Sequence, residues 1–433
     1  MTSVLNQISK TKKAKVKASL AKRKSKEGRF RWYGIVSISS AILFLVILIA
    51  SITSQGYTAF YTTEIKLQVS LDHDTLGLIN ESPDKTELFS ANYMKALRNA
   101  IREEIEVNGR KERKALYSFI SRGAEYDLRD LVVENPSLVG SEITYWALAG
   151  DLFNQYNKGN VDSSIPEDSR KFKDNQIAWF EQLNDQGRVR TVFNENFFSN
   201  GDSRDAELAG IWGAMVGSFY TLLVCFCISF PIGVAAATYL EEFAPKNKIT
   251  DMIEININNL AAVPSIVFGL LGLAIFLNVA ELPRSAPIVG GLVLSLMTLP
   301  TIIISSRAAI KAVPPSIKDA ALGVGASKMQ SVTHHVLPLA MPGMLTGTII
   351  GMAQALGETA PLIMIGMVAF IVDVPHGPFD AASALPVQIY LWAENPEKGF
   401  AENTSGAIMV LLFFLAFMNS CAVLLRKRLE RRW

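Results

Sequence analysis

Glu358 lies in "ALGETAPL", residues 355–362, a carboxylate inside a stretch that otherwise reads as membrane-spanning. On the translocon scale an Asp at a helix centre costs roughly 2.5–3.5 kcal/mol, and Glu should be similar, so a functional role is the default reading. The chemistry open to it is non-covalent. It can accept a hydrogen bond from a protonated oxygen, or pair with a cation on a neighbouring element. Thr359 and Ser265 carry hydroxyls that donate either to a passing anion or back to their own helices.

Other chemistry is missing from the sequence. Within 55–207 His73 stands alone and no catalytic constellation can be assembled, and no Gly-rich phosphate cradle of the form GxxxxGK[ST] occurs anywhere in the sequence. All three cysteines, Cys225, Cys227 and Cys421, fall in apolar blocks, so no disulfide staples the polar region. Cys225 and Cys227 point to different helix faces, which argues against a metal pair. The chain reads as a non-enzymatic protein with no metal and no cofactor of its own.

A bundle in a bilayer is needed to position Glu358. The 433 residues are 49% hydrophobic and only 19% charged, with mean hydropathy +0.24, more apolar than most soluble chains. Residues 33–54 carry no charge, and about 22 helical residues reach roughly 33 Å, enough to span. That run is longer than the ~7–15 residues of a signal-peptide core. Further apolar blocks near 209–239, 260–280, 287–305, 342–371 and 405–425 bring the expectation to six transmembrane helices. Gly, Pro, Ser and Thr interrupt several of them, as in "AAVPSIVFGLLGL" with Pro264 and "SLMTLPTIIISS" with Pro300, a pattern of close packing or cavity lining.

Lys and Arg crowd 1–32 and 426–433, the latter with Arg426, Lys427, Arg428, Arg431 and Arg432, so both termini are expected in the cytoplasm. Anchoring to the lipid bilayer explains the basic tail without a nucleic-acid partner. Residues 55–207 then form an extracytoplasmic α+β domain between the first and second helices, and 208–425 a polytopic helical core. Ile65, Leu67, Val69 and Leu71 alternate as a strand does. Met94, Leu97, Ile101 and Ile105 fall at helical spacing, "SEITYWALAGDLFNQYNKG" reads as a helical stripe stopping at Gly159, and "VRTVFNENFF" as a returning strand. Tyr145, Trp146, Phe153 and Tyr156 read as core.

The segment "SSRAAIKAVPPSIKDAALGVGASKMQSVTHHVLPLAMPG" predicts a short helix over 316–322, a break at Gly325 and a second helix over 327–336 ending before Pro338. Asp319, Ala320, Ala321, Gly325, Leu337 and Pro338 follow the spacing Glu-Ala-Ala, three residues, Gly, nine residues, Ile, one residue, Leu-Pro, with Asp319 replacing Glu and His335 replacing Ile. This resembles the ATPase-coupling loop of ABC-importer permeases. Small alanines let such a helix seat in a partner cleft, and glycine permits the turn after it. "ATYLEEFAPKNKITDMIEININNLAAVPSIVFGLLGL" and "ALGETAPL" resemble the phosphate-importer permeases of the A type, over about 209–425.

The resemblance implies a type I ABC importer core in the bacterial inner membrane. It also implies a C-type permease as heterodimer partner, a cytoplasmic ATPase dimer that binds ATP and Mg, and a periplasmic phosphate-binding protein. In that setting Glu358 can read the proton that phosphate carries and sulfate lacks at neutral pH. One departure stands out: the family commonly has Arg where this chain has Gln354. Gln354 reads either as path-lining or as a helix–helix hydrogen bond, and the positive charge must come from Arg284 in "ELPRSAP" or from the partner permease. The extension before residue 208 also departs from the family, and its position suggests docking or gating. Import of molybdate or sulfate, and a membrane-anchored sensor, are the alternatives.

Overall fold

The computed structural model describes residues 2–80 and 83–429; Arg431 and Arg432 lie outside the described residues. The chain divides into two units, Met1–Gln55 and Gly56–Trp433. The first is a single helix, Thr2–Gly56, so the basic segment read as a tail is helical and continuous with the apolar run behind it. Its Ala, Lys, Arg and Leu favour helix, and no proline interrupts it.

The second unit opens on a three-stranded antiparallel sheet of order β2-β1-β3, with β1 Tyr61–Ser70, β2 Glu142–Leu148 and β3 Val189–Phe193. Ile65, Leu67 and Val69 on β1 are fully buried, as is Leu71 just beyond it. They face helices Tyr93–Glu104, Arg122–Glu134 and Asp174–Asp185 across one core. Phe153 packs 4.7 Å from Phe119 and 4.9 Å from Phe180 between ring centroids, contacts worth ~0.5–1.5 kcal/mol each beyond area burial. The helical stripe expected over 141–159 is corrected: its first half is β2, and only Asp151–Asn157 is helical. Ile143, Tyr145 and Ala147 alternate opposite Val69, Leu67 and Ile65, and this β-branched and aromatic run fits a pleated surface better than a helix.

The remainder is a helical bundle. Among the described residues five helices are long and apolar enough to cross a membrane, or up to six if one bent pair counts as a span. Helices Trp212–Thr238, Pro287–Lys311 and Leu337–Gly357 form its centre. Gly343, Gly347 and Gly351 line one face of the last, where a Cβ would meet Ala309, Ser305 and Thr298 of the 287–311 helix. Glycine at every fourth position lets the two backbones approach closely. Cys225 is buried and Cys227 exposed, as their spacing requires.

Two expected spans are corrected. The block at 260–280 is not one helix: Lys248–Leu260 and Ser265–Leu277 meet at a 100° bend. Pro264 sits four residues past Leu260, where its ring excludes the Leu260 carbonyl from continuing the helix. The block at 342–371 ends early, because the 337–357 helix stops at Gly357 and only the short Ala360–Met364 follows. Pro361 lies four residues past Gly357 and acts in the same way. The helix expected to end before Pro338 instead runs on. A π turn, Val332–Val336, precedes the proline and absorbs its missing donor.

The bundle has two distinct ends. At one, Leu385 N–H donates to Ser218 Oγ at 2.7 Å, Trp392 Nε1 to Asp202 at 2.9 Å, and Asn403 to the Ala206 carbonyl at 2.7 Å. The sheet-bearing region attaches there through Lys158 Nζ and Glu402, 2.9 Å apart and both nearly sealed from solvent. The 212–238 helix runs from this end to the other, roughly 40 Å at 1.5 Å per residue. At the far end stand the 315–336 segments.

Candidate functional site

Three places carry the polar groups that could act. The first is the far-end loop. Helix Pro315–Gly323 starts on a proline and ends in Gly325 at φ +92°. This backbone favours glycine because a Cβ is strained there whatever the space around it. Gly325 N–H donates to the Leu322 carbonyl and Ala326 N–H to the Ala321 carbonyl, both at 3.0 Å, which caps the helix. Ser327 then opens the next helix, Lys328–Ser331, with a reciprocal box: its N–H donates to Gln330 Oε1 at 2.8 Å, and Gln330 N–H to Ser327 Oγ at 3.3 Å.

Asp319, Ala320 and Gly325 are exposed, Ala321 is buried, Leu337 is half-buried and Pro338 exposed. The structure thus joins Asp319–Gly325 in one helix and turn, while Leu337 and Pro338 begin the long helix. Leu322, Val324 and Met329 are exposed at 46%, 87% and 61%. Apolar knobs this bare on the short helix, its turn and the helix that follows fit a partner surface better than water.

Sequence reading missed the ionic base beneath this loop. The 212–238 helix ends in a π turn, Tyr239–Phe243, carrying two adjacent acids. Arg307 Nε reaches Glu241 at 2.6 Å and its Nη2 reaches Glu254 at 2.6 Å, with Lys311 3.2 Å from Glu241. Lys318 Nζ contacts both oxygens of Glu242, at 2.6 and 2.7 Å. The available signal was charge at the ends of apolar runs: "LEEF" closes one and "SSRAAIK" another.

The second place is the pair of helix breaks. Glu358 is not at a helix centre. It follows the last helical residue, Gly357, with extended backbone at φ −79° and ψ 118°, and is half-buried. Its carboxylate has no hydrogen-bond or ionic partner among the described residues. Thr359, half-buried, precedes the 360–364 helix, and Ser265, half-buried, opens Ser265–Gly272 behind Pro264. A Cβ on Gly269 would meet Pro361 and Met364, and one on Gly272 would meet Ile365. The two short helices therefore pack side by side with their chains running the same way.

Gln354 is exposed on the last turn of its helix and bonds to no other helix among the described residues. Arg284 is exposed and stands apart. Its neighbour Ser285 donates to the Gly366 carbonyl at 2.6 Å, so Arg284 belongs to the opposite end of the 360–364 helix from Glu358. Five residues at 1.5 Å separate those ends by roughly 8 Å.

The third place is a cavity of about 570 Å³ where the sheet-bearing region meets the bundle, lined by Asp151, Gln155, Arg170, Glu207, Glu397 and Lys398 among others. Burial pushes the Asp151 carboxyl up to about 6, with Glu397 and Glu402 adding to it. Burial pushes Glu207 up to about 7, against the hydroxyl of Ser121, which favours the charged form. Burial also lowers Lys158, opposed by its contact with Glu402. Among the described residues no cluster of three or more His, Cys, Asp or Glu is arranged to hold a metal ion.

The arrangement, an exposed helix and glycine turn on one end of a broken-helix bundle, agrees with the comparisons with known proteins. The family model for the binding-protein-dependent transport system inner membrane component matches residues 229–433, and a domain of unknown function matches 17–167. The chain is 30% identical over 230 residues to the probable ABC transporter permease protein YqgI of Bacillus subtilis, covering 50% of this chain and 78% of that protein. It is also 30% identical over 225 residues to the phosphate transport system permease protein PstA 1 of Mycobacterium tuberculosis (strain CDC 1551 / Oshkosh), covering 52% and 72%. Among solved structures, a chain of the inward-facing MetNI methionine ABC transporter aligns at 17% identity and TM-score 0.41, covering 51% of this chain and 95% of that one. Because the matches cover more than two thirds of both sequence relatives, and the family-model range 229–433 takes in the glycine turn and the Glu358 break, the chain belongs to the PstA-type ABC transporter permeases, inner-membrane components of binding-protein-dependent transport.

Proposed function

We propose that this chain is the membrane permease subunit of an ATP-driven importer of inorganic phosphate, forming half of the translocation path. The observation that carries this is the 315–325 helix and glycine turn, with Leu322, Val324 and Met329 bare, in a chain akin to phosphate permeases. In this reading a cytoplasmic ATPase dimer, which binds the ATP and Mg, grips Asp319, Ala320 and Ala321. Its closure tilts the spans through Gly325, Leu337 and Pro338.

A C-type permease supplies the other half of the path, and a periplasmic phosphate-binding protein delivers the ion. The bent pair counts as one span, making six, with both termini cytoplasmic and the sheet-bearing 55–207 region outside. The two-ended bundle supports this placement, since that region and the 315–325 helix occupy opposite ends. Phosphate passes the level of Ser265, Glu358 and Thr359, with Gln354 and Arg284 along the path. Glu358 lacks a cation among the described residues, which supports a partner on the C-type permease.

The test is radiolabelled phosphate uptake at low micromolar phosphate in cells lacking the chain, complemented with wild type, Glu358→Gln or Gly325→Pro. Rescue by wild type alone supports the reading with both places required. Equal uptake with and without the chain refutes phosphate, and competition by molybdate and sulfate then identifies another oxyanion.

A further inference from the structure

Helix Pro315–Gly323 has little holding it to the bundle. Ala321 is its one buried residue, and alanine offers a single methyl group of grip. Its strongest contact is ionic: Lys318 Nζ lies 2.6 and 2.7 Å from the two oxygens of Glu242. The Glu242 side chain is only 4% exposed, while that of Lys318 is 35% exposed. Glu242 has no other ionic partner among the described residues, so the carboxylate is buried against one cation, supplied by the more exposed 315–323 helix.

The π turn makes this contact compatible with a second. The i→i+5 bond from Ala244 N–H to the Tyr239 carbonyl, 2.8 Å, widens the backbone over Tyr239–Phe243, and its two adjacent acids serve different neighbours. Glu241 takes Arg307 and Lys311 of the 287–311 helix, and Arg307 continues to Glu254 of the 248–260 helix. Lys328, at the start of the helix beyond the glycine turn, stands 5.2 Å over the Phe243 ring. Both arms of the helix–turn–helix thus rest on one π turn, and that turn is wired to two further helices.

We propose that the Lys318–Glu242 pair is the tie through which the 315–323 helix drives the 212–238 span, with Arg307 distributing the motion to the 248–260 and 287–311 helices. Lys318 and Glu242 are positioning residues: they touch neither the ion nor ATP. The proposal rests on the reading of 315–323 as the ATPase-gripped helix. Removing either partner lets the helix move while the span stays, so ATP is spent without transport.

The test uses the complete transporter in proteoliposomes, with Lys318→Met, Glu242→Gln, the conservative Lys318→Arg and the swapped pair Lys318→Glu with Glu242→Lys. The readout is phosphate moved per ATP hydrolysed, which a merely structural role would not single out. Each neutral variant is expected to lower that ratio at least tenfold, with Lys318→Arg and the swap recovering most of it. Neutral variants with the wild-type ratio, or a swap no better than either single change, overturn the proposal.

A second readout does not depend on the substrate. Spin labels on Ser316 and Tyr239, both exposed, report the distance between helix and π turn through ATP turnover. In wild type the distance is expected to stay fixed, and in Lys318→Met to broaden; identical distributions overturn the tie. A wild-type complex that turns over ATP but moves no phosphate refutes the substrate reading, and this distance measurement still decides the tie.

Discussion

Glu207 offers a test of how the sheet-bearing region is held, because its carboxyl is buried and carries no cation. Its value is pushed from 4.5 to about 7, so the folded state binds its proton more tightly than the unfolded chain does. The favourable contribution is therefore complete below about pH 4.5 and is lost as pH rises through about 7. At ~1.36 kcal/mol per pH unit, keeping Glu207 ionised in the fold at pH 8 costs roughly 3 kcal/mol. Glu207→Gln removes that cost while preserving an acceptor for the Ser121 hydroxyl.

At ~2–4 °C per kcal/mol for a domain of 150–250 residues, the variant should melt roughly 6–12 °C above wild type at pH 8 and within a degree or two of it at pH 5. The assay is thermal unfolding of the full chain in detergent between pH 5 and 8, followed by tryptophan fluorescence, with Trp146 and Trp179 inside the region. Parallel pH profiles for the two proteins would refute the reasoning, since they would mean that Glu207 keeps the same proton affinity folded and unfolded.

Asp151, pushed from 3.8 to about 6, should behave likewise, with Asp151→Asn stabilising above pH 6 and neutral near pH 4 in the same melting series. Gly347→Val drives a side chain into Ser305 and should cost ~1–3 kcal/mol by overpacking; Ser305→Gly should restore part of the loss in detergent melting. Gly325→Ala forces a side chain into φ +92° at a cost of ~1–2 kcal/mol, and should reduce ATPase co-purification without lowering chain abundance in the membrane. Phe153→Ala, fully buried between Phe119 and Phe180, should destabilise the sheet-bearing region by ~3–5 kcal/mol, read as a lowered first melting transition.

Local signals in the sequence were legible where local physics decides the structure. The alternation of Ile65, Leu67 and Val69 is β1, and Gly325 does turn the chain. The 142–148 stretch was misread because its apolar residues satisfy a helical and a strand period at once. The pairing with β1 that settles it joins residues far apart in the chain, such as Leu67 and Tyr145. Lys318 and Glu242 are 76 residues apart, and nothing local to either names the other. Their pairing follows from which helix ends meet, a property of the bundle.

The breaks at Glu358 and Ser265 stand between these cases, and they show what a proline does and does not specify. Pro264 and Pro361 each stand four residues past the last helical residue, Leu260 and Gly357, the carbonyls their rings exclude. Yet Pro231, Pro300 and Pro342 sit inside unbroken helices, so a proline permits a break without requiring one. Pro300 is buried in the 287–311 helix, which packs on both the 212–238 and 337–357 helices, and neighbours on two sides hold it straight. Past Leu260 the chain meets no such support, since no residue of the 248–260 helix is buried. Past Gly357 the chain instead gains contacts by turning, because the short 360–364 helix then packs Pro361 and Met364 on Gly269. The two breaks are therefore mutually dependent: each short helix exists in its register because the other does, and Glu358 is placed by that pairing. A side chain larger than glycine at 269 should accordingly disturb the level of Glu358 as well as the packing, lowering phosphate uptake in a Gly269→Leu variant whose membrane abundance is unchanged. Uptake equal to wild type in that variant would mean that Glu358 is placed by its own helix alone.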